Sequence, residues 1–450
     1  MPAARKAAAG RMPRKTAAAP APGPAPAAVA QAPAVSPDDD YKRTSYAVWE
    51  ITLKCNLKCS HCGSRAGPKR PDELTTAEAL DLVRQLDECG IREVSLIGGE
   101  AFLRRDWLEI ARAIVARGMV LTMTTGGYGI SRALARRMKD AGFAFVSVSI
   151  DGLEPTHDRL RGVEGSFRAC FETIDHFRAV GLPYGCNTQV NRLSAPEIPR
   201  LYELIEAAGV LAWQYQMTVP MGHAADHPEI LLQPAELCDV YDMLARVTNR
   251  ANRAGLVVSP GSSIGYFGPY EHIIRYHALR TNSFWMGCQA GLSTLGIEAD
   301  GKIKGDPSLP TDAYTGGNIR DRPLREILET PELTFNLGGG TPRGTEHLWG
   351  FCKECDYADL CRAGCSWTTH VFFGRRGNNV YCHHRALEMR GRGRRERVRQ
   401  KLLAIGKPFD HGVFEIIEEP AGAPWPEGDA LRFTADKVVW PEGWERWPQP

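Results

Sequence analysis

The sequence predicts an α/β fold, a partial (β/α)6 TIM-like barrel followed by a small domain stapled through cysteines. Three observations carry this expectation. Six β-rich apolar runs alternate with helical patterns that close on glycine; a cysteine trio follows the first run directly; and a second cysteine group lies in a stretch with few long periodic segments.

The barrel is read from residue 44 to 255. Its strands are expected at Tyr46–Thr52, Glu93–Ile97, Met119–Thr124, Phe143–Ile150, Tyr184–Val190 and Ala212–Met217. The intervening helices end at Gly90, Gly118, Gly142, Gly181 and Gly209, where glycine takes the left-handed conformation that closes a helix. Thr75-x-x-Glu78 is a capping box at the start of the first helix. Strand and helix recurring in this rhythm imply parallel βα units, whose active sites gather at the C-terminal ends of the strands. A helical stretch at 234–253 closes the region near Gly255.

The remaining segments are assigned by composition. Residues 1–43 form an Ala/Pro-rich tail that carries Arg5, Lys6, Arg11, Arg14 and Lys15 and has no acid before Asp38. Such a segment cannot bury a core and is expected to be disordered. Its prolines argue against the amphipathic helix of a transit peptide. Residues 256–385 form the cysteine-stapled domain. Residues 386–450 are expected to be a basic helix, Arg390–Lys401, and then a Pro/Trp-rich tail with Trp425, Trp440, Trp444 and Trp447.

The 450 residues carry a net charge of +2, which gives no global argument for a nucleic-acid or acidic-membrane partner. No apolar run approaches the roughly 20 residues a membrane-spanning helix needs, and no secretory apolar region is visible. A cytoplasmic location is expected. Of thirteen cysteines, Cys89, Cys170, Cys186 and Cys238 stand singly and read as small buried hydrophobes. The other nine are Cys55, Cys59, Cys62, Cys288, Cys352, Cys355, Cys361, Cys365 and Cys382. Their short spacings favour metal over disulfides in a reducing compartment.

Cys55-x3-Cys59-x2-Cys62 has no fourth cysteine nearby. Iron–sulfur cubes are ordinarily held by four thiolates, so three thiolates leave one iron open. Zinc is the alternative for the loop taken alone, because His61 lies inside it. The spacing resembles the cluster loop of radical S-adenosylmethionine (SAM) enzymes. The resemblance implies a [4Fe-4S] cluster whose open iron binds SAM and whose electron cleaves it to a 5′-deoxyadenosyl radical. It also implies that Gly98, Gly99 and Glu100, at the end of the second strand, bind the SAM amino group. Two glycines allow a close approach to the backbone. Ser149 and Arg161 match the family positions that contact the ribose and carboxylate, and an arginine fork suits a carboxylate. The alternative for Ser149 and Asp151 is capping of the next helix. Thr124, Thr125 and Gly126, Asn187 to Gln189, and Gln214 to Gln216 end the third, fifth and sixth strands and are candidates to line the cavity.

Cys352-x2-Cys355-x5-Cys361-x3-Cys365, followed by Cys382, resembles the SPASM domain, the auxiliary-cluster extension of radical SAM enzymes. That pattern implies one auxiliary [4Fe-4S] cluster on Cys352, Cys355, Cys361 and Cys382, and a second on Cys288 and Cys365. Where the family has a further cysteine this chain has Asp306. Asp306 ligates iron through oxygen, or the iron there stays open to substrate, or the cluster is absent and Asp306 acts as a general base. Thr294, ten residues, then Gly305-Asp306-Pro307 resembles the frame of a subfamily named for Tyr, ten residues, Gly-Asp-Leu, with Thr for Tyr and Pro for Leu.

The resemblance implies an oxidoreductase that abstracts hydrogen from a peptide or protein during its maturation. Its reductant would be a flavodoxin or ferredoxin, and a separate PqqD-like protein could present the peptide. The alternatives are oxidation of a tetrapyrrole or sugar, and a non-catalytic iron–sulfur electron carrier. The carrier reading has no use for a SAM-binding segment.

Overall fold

The computed structural model describes residues 45–276, 284–285, 287–336, 344–426 and 429–444. The N-terminal tail assigned to 1–43, and Trp447, lie outside the described residues.

Seven strands run parallel in sequence order: β1 (Tyr46–Glu50), β2 (Glu93–Ile97), β3 (Val120–Thr125), β4 (Phe145–Ser149), β5 (Tyr184–Val190), β6 (Ala212–Met217) and β7 (Val257–Pro260). β8 (Thr294–Ile297) pairs parallel with the free side of β1, from Tyr46↔Thr294 to Trp49↔Ile297. β9 (Lys302–Lys304) and β10 (Thr315–Asn318) extend that edge antiparallel. β7 and β10 are the two ends of the sheet, so the barrel stays open. The six expected strands are β1 to β6. β7 and β8 have four residues each, one ending in proline and the other containing a glycine, too little pattern to read as strands.

Helices cover the outside: α1 (Thr76–Glu88), α2 (Trp107–Ala116), α3 (Arg132–Asp140), α4 (Glu154–Arg161), α5 (Ser166–Val180) and α6 (Ile198–Ala207). Thr75 and Glu78 form the expected capping box. Gly90, Gly118, Gly142, Gly181 and Gly209 all take positive φ, between 69° and 93°, as a left-handed helix stop requires. Trp49, Val94, Leu96, Leu121, Met123, Val146 and Val148 are almost wholly buried between sheet and helices. Burial on both faces is what near-continuous apolar parallel strands need. Cys170, Cys186 and Cys238 are buried and Cys89 is half-buried.

The arginine-rich run corrects the expectation of a basic helix. A helix ends at Gly391, and β11 (Arg394–Leu402) pairs antiparallel with β12 (Val413–Pro420). The physical reason is the acidic run Glu415-Ile-Ile-Glu-Glu419. Arg394 pairs with Glu418, Arg395 and Arg397 with Glu419, and Arg399 with Glu415, at 2.5–2.9 Å. Cross-strand neighbours of opposite sign stabilise a hairpin; a lone helix would have set the arginines against one another. Two of the tryptophans beyond it meet arginines. Arg246 stacks on Trp440 and Arg250 on Trp444, from the helix Leu237–Arg253. No helix among the described residues is long and apolar enough to cross a membrane.

Candidate active site

The cysteine loop leaves the C-terminal end of β1 and is anchored by backbone hydrogen bonds. Cys55 N–H donates to Gly67 O at 2.8 Å, and Gly67 N–H donates to Leu53 O at 2.9 Å. Lys58 N–H and Ser60 N–H donate to Arg161 O and Leu160 O, both at 2.9 Å. The last carbonyls of α4 have no partner within the helix, and the loop supplies one. At its far end, His223 N–H donates to Cys62 O at 3.0 Å and Phe409 N–H to Gly63 O at 3.1 Å.

Each sulfur faces a donor. Leu57 N–H points at Cys55 Sγ (3.4 Å), Ala66 N–H at Cys62 Sγ (3.3 Å), and the Arg161 guanidinium at Cys59 Sγ (3.8 Å). Donors around sulfur are the outer-shell arrangement of an iron–sulfur site. Burial pushes the Cys55 thiol up to about 11 and Cys59 to about 12. Thiols held so far from ionisation become thiolates when a cation takes the proton's place.

Gly98 and Gly99 pack closely against the chain that follows β1. A Cβ on Gly98 would lie 2.4 Å from Thr52 O, and one on Gly99 2.2 Å from Lys54 O. The close approach is by the chain's own extension of β1, and the glycines admit it. Glu100 is buried; its carboxylate accepts from the Thr125 hydroxyl and from Gly126 N–H (2.5 Å). Burial outweighs these bonds and pushes the carboxyl up to about 7.

Ser149 ends β4 and is buried. Neither it nor Asp151 caps α4; Glu197 accepts from Leu153 N–H and from the Thr156 hydroxyl there, both at 2.7 Å. Asp151, with no exposed surface, is a hub that sequence reasoning missed. One carboxylate oxygen accepts from Gln189 N–H at 2.7 Å; the other lies 2.6 Å from Arg161 and 3.1 Å from His61. Burial alone would raise this carboxyl, but the Arg161 and His61 charges outweigh it and hold it well below the usual range. His61 Nδ1, Arg161 Nε and Asn56 Oδ1 remain buried without hydrogen-bond partners. These are polar groups that a bound polar ligand would satisfy. Thr124 and Asn187 meet across β3 and β5 at 3.4 Å.

The second cysteine group divides in two. Cys352, Cys355, Cys361 and Cys382 line a single pocket with Tyr266 and Phe267. Asn379 N–H points at Cys352 Sγ (3.3 Å) and Arg385 N–H at Cys382 Sγ (3.5 Å). Arg362, Ala363 and Gly364 all take positive φ, a strained turn of the sort found at ligand sites. It sends Cys365 away from the cavity. Among the described residues no three His, Cys, Asp or Glu side chains close on a point that would hold one metal ion.

Cys365 pairs instead with Cys288. Their hydrogen bond lowers Cys288 and raises Cys365, and the nearby Asp306 charge raises Cys365 further. Asp306 accepts from Ser308 N–H at 2.9 Å, and burial raises its carboxyl. Beside this pair lie residues that sequence reasoning did not single out. The Tyr314 hydroxyl meets His370 Nδ1 at 3.1 Å, and the Arg376 guanidinium stacks on Phe335 at 4.6 Å. Burial and His411 keep His370 neutral, with its pKa near 4. Tyr314 lies 56 positions from His370 and 62 from Arg376 along the chain, and no local motif joins it to them.

The radical SAM superfamily profile matches residues 49–192. Over 331 residues the chain is 30% identical to an AdoMet-dependent heme synthase of Methanosarcina barkeri, a match spanning 71% of this chain and 90% of that protein. It is 26% identical over 327 residues to the mycofactocin maturase MftC of Mycolicibacterium smegmatis, spanning 71% and 77%. Among solved structures, Streptococcus suis SuiB bound to S-adenosylmethionine superposes with a TM-score of 0.59 at 18% identity, over 76% of this chain and 77% of that one. An open parallel barrel, three thiols on the loop after its first strand and a relative matched over nine-tenths of its length agree: the chain belongs to the radical SAM superfamily, whose members use a [4Fe-4S] cluster and SAM.

Proposed function

We propose that this is a radical SAM oxidoreductase acting on a tetrapyrrole with acidic side chains. In this reading Cys55, Cys59 and Cys62 hold the SAM-binding cluster, and Cys352, Cys355, Cys361 and Cys382 hold an auxiliary one. The observation that carries the chemistry is the set of three half-buried thiols, each met by its own donor. When bound, the cluster and SAM supply a carbon-centred radical that removes a hydrogen atom from the substrate. Arg161, held by Asp151, orients Cys59, and Glu100, Ser149 and the unpartnered atoms of Asn56, His61 and Arg161 receive the polar groups of SAM.

Asp306 and neutral His370 stand ready to accept a proton at the Cys288–Cys365 end, with Asp306 also placed to complete a second auxiliary site. Half-buried Arg376 has no carboxylate partner among the described residues and suits a substrate carboxylate. The tetrapyrrole class rests on the match to the heme synthase, which covers 90% of that relative. The second reading, maturation of a peptide, rests on the match to MftC. A one-electron carrier such as a flavodoxin or ferredoxin is the reductant in either case.

The test is anaerobic incubation of reconstituted protein with dithionite, SAM, and either an iron coproporphyrin or a peptide encoded beside its gene. Both 5′-deoxyadenosine and substrate mass are followed. Porphyrin-dependent mass loss supports the first reading, peptide-dependent mass loss the second. No 5′-deoxyadenosine from iron-replete protein under any condition would sink both.

A further inference from the structure

The hairpin β11–β12 lies beyond the cysteine-stapled region, and its loop folds back onto the first cysteine loop. Three contacts make the joint. Phe409 N–H donates to Gly63 O at 3.1 Å, and Gly222 N–H donates to Asp410 O at 2.8 Å. Arg65, three residues past Cys62, bonds Asp410 at 2.8 Å and also pairs with Asp226. A Cβ on Gly222 would sit 2.3 Å from Cys62 O, so the segment after β6 presses on the same loop. The Phe409 ring completes the joint by covering Lys304 Nζ at 3.7 Å.

The outer side of this strap differs from its inner side. Leu402, Leu403 and Ile405 are 59%, 78% and 69% exposed, the only trio of exposed large hydrophobics within four residues of one another among the described residues. Such a patch marks a contact site more often than scattered leucines do. Its surroundings are basic. Residues 398–409 carry Arg399, Lys401 and Lys407 and no acid; residues 54–70 carry Lys54, Lys58, Arg65, Lys69 and Arg70 and no acid. Arg65, Arg70 and Arg399 are engaged in ion pairs inside the protein, whereas Lys54, Lys58, Lys69, Lys401 and Lys407 are exposed. An apolar patch with a basic rim is complementary to an acidic partner.

We propose that the β11–β12 loop is the docking surface for an acidic one-electron carrier protein that reduces the cluster on the Cys55–Cys62 loop. The proposal rests on the radical SAM reading above. The strap links this patch to the cluster loop: Phe409, four residues past Ile405, bonds the residue next to Cys62. The step is a single electron transfer. With a flavodoxin, the anionic flavin hydroquinone becomes the neutral semiquinone, the cluster gains the electron, and no proton moves. The strap's inner contacts hold it in place, and its outer side chains are free to meet the carrier.

The experiment uses reconstituted full-length holoenzyme and a flavodoxin. Binding is measured anaerobically by calorimetry, and hydroquinone oxidation is followed by stopped-flow absorbance. The wild type is compared with Leu403→Asp/Ile405→Asp and with Lys401→Glu/Lys407→Glu. We expect both variants to weaken binding and slow oxidation at least tenfold, while dithionite-driven 5′-deoxyadenosine stays within twofold of wild type. Raising the salt should weaken the wild type more than the charge-reversed variant. Unchanged binding and oxidation in both variants would overturn the proposal. So would sedimentation showing a wild-type dimer that the aspartates dissociate, since a second copy would then cover the patch. Dithionite-driven product missing from the wild type would fault the radical SAM reading, while calorimetry would still decide the docking surface.

Discussion

Replacing Asp151 by asparagine tests whether the buried hub holds the cluster loop. The amide keeps the shape and can still accept from Gln189 N–H, but it no longer balances Arg161 and His61. Asp151 has no exposed surface and Arg161 is buried, so among the described residues the guanidinium left behind keeps only the Cys59 sulfur as a hydrogen-bond partner. Removing one member of a buried pair costs roughly 3–5 kcal/mol, because the other charge stays buried and unpaired. Against a total stability of about 5–15 kcal/mol, that is a large share. At roughly 2 °C per kcal/mol, the low end for larger domains, the melting temperature should fall by about 6–10 °C. Adding Arg161→Met removes the stranded charge, so the double variant should recover to within about 2 kcal/mol of wild type. The sign with pH follows from the depressed Asp151 carboxyl. Its contribution is present above the unfolded value of about 3.9 and is lost as pH falls through the folded one. The wild-type advantage over Asp151→Asn should therefore shrink only in acid. Circular-dichroism melts of both variants across pH read all of this. A melting temperature within 2 °C of wild type at pH 7, or a double variant as unstable as the single one, would refute the reasoning.

Other changes have equally definite outcomes. Burial raises the Glu50 carboxyl to about 8, so wild-type stability should fall as pH rises from about 4.3 toward that value. Glu50→Gln should remove its share of that loss; an equal drop in urea-unfolding free energy from pH 5 to pH 8 in wild type and variant would contradict the buried acid. Gly99→Ala sets a methyl 2.2 Å from Lys54 O. Backbone cannot yield as a side chain can, so loss of well over 1–3 kcal/mol is expected, together with loss of iron from the first site, as an iron assay and a thermal melt would show. Cys352→Ala should release about four irons per chain and still permit dithionite-driven SAM cleavage; unchanged iron would remove Cys352 from the ligand set. Glu419→Gln removes the carboxylate that Arg395 and Arg397 share, with all three side chains at most 17% exposed, and should cost roughly 1.5–3 kcal/mol, a range that chemical denaturation can test.

Local chemistry made much of the barrel legible. Glycines at 90, 118, 142, 181 and 209 end helices because the left-handed conformation they all take is open to glycine and costly to others. The apolar runs between them are strands because both faces of a parallel sheet are buried. The thiol spacing at 55, 59 and 62, and at 352, 355, 361 and 382, was visible because a short loop places its donors by spacing alone. The arginine run at 394–399 was misread as helical, since its partners lie some twenty residues on, and a strand's charges are balanced across the ladder rather than along it.

By itself, then, the sequence determined the βα rhythm, the placing of the first cysteine trio at the end of β1, and the chemistry of its donors. Only the tertiary structure decided which charges meet. Asp151 reaches His61 and Arg161 because β4 ends beside a loop that begins about a hundred residues earlier; the second cysteine group separates into a cavity of four and a pair beside Asp306; and the hairpin loop at 403–412 comes to rest on Gly63. The physical reason is one of range. Helix stops, strand burial and loop ligands are settled within a few residues, where φ, ψ and spacing suffice. The partners of a buried charge are settled by whatever the fold brings within about 4 Å, where low dielectric makes an unpaired charge costly.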